Sequence, residues 1–108
     1  MKLTNITYKN QKRMDIIEKK LRTIGKTIFA DYLYIEVSKN FDITIEELCY
    51  KHKDFKNYKL SSQRTKLSAT RSLLRKGKGI IALQNIIKNE KVNKKIREKA
   101  KLLLELNI

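Results

Sequence analysis

Not one proline interrupts the 108 residues, and Gly25, Gly77 and Gly79 are the only glycines. Proline removes a helix donor and glycine loosens a helix, so a chain nearly without either is free to be helical along its length. A chain rich in β-turns needs more of both. Apolar side chains also recur every three or four positions, the spacing of one helix face. The prediction is an all-α fold: a compact bundle of about five helices with a helix-turn-helix-like central pair, forming one basic domain over 1–108.

The elements follow from that spacing. A first helix is predicted over 10–24, with Met14, Ile17, Leu21 and Ile24 in register. Gly25 either ends it or lies inside a continuous helix. A second covers 26–38, with Ile28, Phe29, Tyr32, Leu33 and Ile35 inward; the β-branched content of Leu33 to Val37 leaves strand as a fallback. Thr44 and Glu47 spell a capping box, flanked by Ile43 and Leu48 as a hydrophobic staple, so a third helix starts there and ends near His52. The fourth runs from Ser61 or Ser62 to the RKGKG stretch, where Gly77 suits the left-handed residue past a helix end. Ile80 to Asn89 follows with Ile80, Leu83 and Ile87 on one face. After a short break Asn93 can cap a last helix lined by Ile96, Ala100 and Leu103.

Charge is the strongest functional signal. Lys and Arg number 26 against 11 Asp and Glu, for a net charge of +15. The excess is segregated: residues 1–26 carry +6, 27–50 carry −4, 51–79 carry +9 and 80–108 carry +4. A segregated basic excess points to a polyanion. The same sequence excludes other classes. No apolar run approaches the length of a membrane span, so no membrane partner is expected. MKLTNITYKNQKRMD has no apolar region of the kind a secretory signal needs, and the single Cys49 fits a reducing compartment, so a cytoplasmic location is expected. One Cys and one His (His52) cannot build a Cys/His zinc site without carboxylates, and no cofactor is implied.

The candidate site lies on the fourth helix. Three of the six Arg fall within twelve residues: Arg64, Arg71 and Arg75. At 100° per residue, Arg64, Ser68, Arg71 and Arg75 share an arc of about 60°, while Leu67, Thr70 and Leu74 form a neighbouring apolar seam. Guanidinium groups separated by small hydroxyls suit a helix entering the major groove, and Lys76 and Lys78 follow to hold phosphates. The stretch TIEELCYKH, a loop, then SSQRTKLSATRSLLRKG resembles a helix-turn-helix, with Ser opening the second helix and Arg on its outer face. It departs from that motif in spacing, since twelve residues separate Cys49 from Ser61. LLRKGKGII is similar to the run from a recognition helix into a winged-helix strand, but no hairpin signal follows.

Between these helices, aromatics alternate with cations. Tyr50, Phe55 and Tyr58 could stack on unpaired bases while Lys51, Lys53, Lys56 and Lys59 meet phosphates. Alternatively Phe55 and Tyr58 pin the loop to the core; Tyr58, Lys56 and Lys59 are kept as binding candidates. Lys9, Lys12, Arg13, Lys19, Lys20 and Arg22 read as an ordinary amphipathic surface that could track a second backbone. His52 reads as a helix-end residue rather than a catalytic base, and Cys49 as a small buried one. GKG at 77–79 lacks the length of a phosphate-cradling loop.

The expectation is a small non-enzymatic nucleic-acid-binding protein, DNA before RNA, such as a transcriptional regulator. Two alternatives stand beside it: a basic adaptor or inhibitor of mobile-element type that docks an acidic protein groove, and an RNA-binding or RNA-cleaving factor. The acidic block Asp31, Glu36, Asp42, Glu46 and Glu47 could meet a second copy's basic face, so a homodimer is also open.

Overall fold

The structure is a computed structural model that describes residues 16–106. Predicted positions Lys9, Lys12, Arg13 and Met14 lie outside the described residues. Among the described residues there are six helices and no strand. Helix α1 covers 16–24. Helix α2 runs through Lys26–Ile28, Phe29–Leu33 and Tyr34–Lys39 without a break. Helices α3 (Ile45–Lys51) and α4 (Leu60–Arg75) are joined through one 3₁₀ segment, Lys53–Asn57. Helices α5 (Gly79–Lys88) and α6 (Lys94–Glu105) complete the bundle. No helix among the described residues is long and apolar enough to cross a membrane.

Local chemistry sets most boundaries where the sequence places them. Thr44 Oγ1 accepts from the Glu47 amide while the Glu47 carboxylate accepts from the Thr44 amide, and both staple residues, Ile43 and Leu48, are buried. At the end of α4, Gly77 has φ +69°, with Lys78 N–H donating to Leu73 O and Gly77 N–H to Leu74 O. That pair of bonds is a Schellman motif. Asn93 caps α6 by accepting from the Lys95 amide. Gly25, at φ +97°, ends α1 and turns the chain into α2. Glu18 Oε1 accepts from Lys26 Nζ at 2.6 Å across that bend.

The core corrects several predicted faces. Helix α4 buries Gln63, Leu67, Thr70 and Leu73, with Leu74 half-buried against the same core, so the inward face is wider than the predicted seam. Helix α5 buries Ala82, Leu83 and Ile86 and leaves Ile80 about half exposed. Leu33 to Val37 is helical, not strand. Within α2, residues Phe29–Leu33 form a π turn in which Tyr34 N–H reaches back to Phe29 O. The widened turn buries Phe29, Ala30, Tyr32 and Leu33 together, more than one face of a regular helix would. Sequence periodicity of 3.6 cannot report such a turn.

The α3–α4 connection is also not the tight turn of a helix-turn-helix. Phe55 is fully buried, and the Gln63 amide donates to Phe55 O at 3.0 Å and Tyr58 O at 2.9 Å, tying the 3₁₀ segment back onto α4. The winged-helix comparison fails at Gly79, which opens α5. A Cβ there would sit 2.6 Å from Leu74 Cδ2 and 2.8 Å from Tyr34 Cε2, so only glycine lets α5 approach α2 and α4 this closely.

Two outcomes follow. Gly79→Ala should lower stability by about 1–3 kcal/mol in urea denaturation, because crowding outweighs the helix propensity gained. The salt bridge to Lys26, with Asn85 and Arg22 contributing, holds the Glu18 carboxyl below its ordinary pKa against the opposing effect of burial. Its contribution is therefore present above the unfolded value and lost as pH falls through the folded one. Urea midpoints at about pH 7 and about pH 3 should converge in Glu18→Gln relative to the unsubstituted chain; an identical pH dependence would contradict this.

Candidate functional site

Helix α4 is amphipathic in an unusual way, because its cations divide into two groups by what they touch. Lys66 and Arg71 face neighbouring backbone. Lys66 Nζ donates to Thr23 O at 3.1 Å and Ile24 O at 2.9 Å, the last carbonyls of α1, and sits 4.8 Å from the centroid of the Tyr58 ring. Burial pushes its ammonium below the ordinary lysine pKa. Arg71 Nε donates to Phe41 O at 2.9 Å and Arg71 Nη2 to Ile43 O at 2.6 Å, holding the loop that leads into the α3 capping box.

Arg71 is thus placed otherwise than the sequence stripe implies. Its position on the helix wheel is as expected, but the loop at 41–43 lies within reach of its guanidinium and takes two of its donors. Arg75 is exposed and stacks over Phe41, with its guanidinium carbon 5.1 Å from the ring centroid. Arg64 and Ser68 are exposed on the crest of the helix, and Lys76 is exposed beyond its end, with Lys78 half-buried at the corner. Among the described residues no cation of α4 is in an ion pair with a carboxylate; the pairs present involve Arg22, Lys26, Lys51, His52 and Lys99.

Two open grooves flank this crest, and they differ in chemistry. The groove towards α1, about 510 Å³, is lined by Lys20, Arg64, Thr65, Ser68, Ala69 and Ser72. Lys20 Nζ donates to Ser72 Oγ at 2.9 Å across it. The groove towards α3, about 590 Å³, mixes Asp42 and Glu46 with Arg64 and Arg71 over an apolar floor that includes Ile43 and Leu67. In the sequence Lys20 reads as part of an amphipathic surface that could track a second backbone, and nothing there singles out Thr65 or Ser72. The wheel places Thr65 and Ser72 beside the Arg stripe, but pairing with Lys20, 52 residues away, is tertiary.

The remaining candidates lie apart from the crest or serve the fold. Tyr58 is about one-third exposed, with its ring edge-on to Phe55 and beneath Lys66. Lys56 and Lys59 are exposed on the connection, and Tyr50 is 87% exposed beside Cys49, Lys53 and Lys56 in a third groove. Cys49 is half-buried. His52 caps α3, as a helix-end residue should, but its partner is a carboxylate. Its Nε2 lies 3.1 Å from Glu36 Oε2, and its ring stacks on Tyr32 at 4.0 Å between centroids. The Tyr32 hydroxyl donates to Asp54 Oδ2 at 3.0 Å; burial first, and the carboxylate second, push it well above the ordinary tyrosine pKa.

Compared with protein-family models, curated proteins and solved structures, the chain matches none of them.

Because its guanidinium holds the 41–43 loop, Arg71→Ala should lower stability by about 1.5–3 kcal/mol, the range for hydrogen bonds to a charged group. Chemical denaturation measures this. A change below a few tenths of a kcal/mol would show that the loop is held without Arg71.

Proposed function

We propose that this protein binds nucleic acid, duplex DNA in preference to RNA, by laying the crest of α4 against it. The observation that carries the reading is the exposed row of Arg64, Ser68 and Arg75, continued by Lys76 and the half-buried Lys78, none of them in an ion pair among the described residues. A solvated helix surface ordinarily mixes signs; this helix carries Arg64, Lys66, Arg71 and Arg75 and no acid.

The helix dimensions fit the proposal. Sixteen residues of α4 span about 24 Å, and Arg64 and Arg75 are about 16 Å apart along the axis, close to five base-pair steps. Grooves along both flanks let the helix stand clear of its neighbours, which entry into a major groove about 12 Å wide requires. Arg64 and Arg75 would meet guanine edges or phosphates, and Ser68 leaves space for close approach. Surface lysines would add sequence-independent affinity by counterion release. A role in transcription is one use of such a protein.

The test is fluorescence anisotropy with labelled duplex DNA, single-stranded DNA and structured RNA across a salt series. Duplex should bind most tightly, with log affinity falling linearly in log salt. Replacing Arg64 and Arg75 together by Ala should weaken duplex binding by about 10- to 100-fold, while stability falls only by what the Arg75–Phe41 stack contributes, about 0.5–1 kcal/mol. Preference for single strands or RNA would overturn the DNA assignment and move the contact surface to Tyr50 and Tyr58. Negligible binding to all three near physiological salt would overturn the reading in favour of an acidic protein partner.

A further inference from the structure

The two grooves beside α4 share Arg64 and differ in almost everything else. On the α3 side, Asp42 and Glu46 place carboxylates in the groove, and an anion seated there would meet both. On the α1 side every lining residue except Ala69 is a cation or a hydroxyl. The apolar exception is the smallest side chain that keeps a Cβ, and it leaves the floor open.

The donors on the α1 side are positioned in advance. Lys20 Nζ is fixed by Ser72 Oγ at 2.9 Å, which uses one of its three donor directions and leaves two for a ligand. Lys20 is half-buried, so its position is set by packing as well as by that bond. Ser68 stands on the exposed crest between Arg64 and Ser72, with a rotating hydroxyl able to donate. Thr65 donates to Ser61 O at 2.9 Å and so shapes the wall without offering its proton. Two cations and a free hydroxyl donor around a small-residue floor suit a tetrahedral anion.

We propose that the α1–α4 groove seats one backbone phosphate, held by Lys20, Arg64 and the Ser68 hydroxyl, with Ser72 as the residue that positions Lys20. This rests on the nucleic-acid reading and gives it a direction. The phosphodiester track runs along the α1 flank of α4, and the acidic α3 flank faces away from it. Lys20 is then a binding residue of the interface although it lies three helices earlier in the chain.

Salt dependence separates a phosphate contact from a structural role. Each phosphate contact contributes about 0.9 to the slope of log affinity against log salt on duplex DNA. Lys20→Gln should lower that slope by about 0.9 and weaken binding, with Lys20→Arg restoring much of both. Ser68→Ala, on the exposed crest, is the second variant should Lys20→Gln fail to fold; it should weaken duplex binding several-fold. Lys101→Gln, in the separate groove between α5 and α6, should leave the slope unchanged.

An unchanged slope in Lys20→Gln, with the unsubstituted chain still binding duplex, would overturn the seat and leave the nucleic-acid reading intact. Failure of the unsubstituted chain to bind would remove the reading and the seat together. A second arm uses inorganic phosphate at constant ionic strength. Saturable binding below millimolar concentration that Lys20→Gln abolishes would assign the groove to a free anion and overturn the backbone seat; no such binding supports it.

Discussion

Helix α4 is held in place by two cations that donate to main-chain carbonyls. Lys66 closes the exposed C-terminal carbonyls of α1, and Arg71 closes those of the loop before α3. A helix end leaves its last carbonyls without partners, and a cation is the strongest donor available to them. Both contacts join segments far apart in sequence, so they fix where α1 and α3 stand relative to α4. The grooves lie on either side of the crest between these anchored segments, and their charge differs because Asp42 and Glu46 line the α3 side and Lys20 the α1 side.

The same division explains why some of the basic side chains are structural and others are candidates for ligand binding. Lys66 is partly desolvated and Arg71 is engaged by backbone; neither is presented to solvent as Arg64 is. Phe41 extends this arrangement by lying under Arg75 and beside Arg71, so the lower end of the crest is backed by an aromatic ring. On the far side, Gly79 and the π turn of α2 allow α5 and α2 to close beneath α4. The core is therefore assembled around the inner face of the helix whose outer face carries the row of Arg64, Ser68 and Arg75.

The segment between α3 and α4 shows how an interleaved pattern of aromatics and cations can serve the fold. Phe55 is in the core, Tyr58 lies against it, and Gln63 holds the carbonyls of both. His52 stacks on Tyr32 and faces Glu36, which also lies 3.6 Å from Lys51. A histidine in that setting orients α3 against α2. Three residues of the acidic block also have partners within the fold: Glu36 in His52 and Lys51, Asp31 in Lys99, and Glu47 in its cap, while Asp42 and Glu46 line the α3 groove.

What the sequence determined was local. The near absence of proline and glycine allowed helices, the Thr44–Glu47 box and Asn93 started two of them, and Gly77 ended a third, because caps and left-handed residues act within a few positions of the chain. The outward placement of Arg64, Ser68 and Arg75 was legible for the same reason, since a 100° wheel needs only the helix itself. Tertiary structure decided the rest. Periodicity could not show the π turn, the half-exposed Ile80 or the full burial of Leu73, because each depends on which neighbour a face meets. Nor could it show that Arg71 would turn to the 41–43 loop, or that Lys20 would cross 52 positions to meet Ser72. A long cationic side chain takes the nearest acceptor in space, and only the packed fold says which acceptor that is.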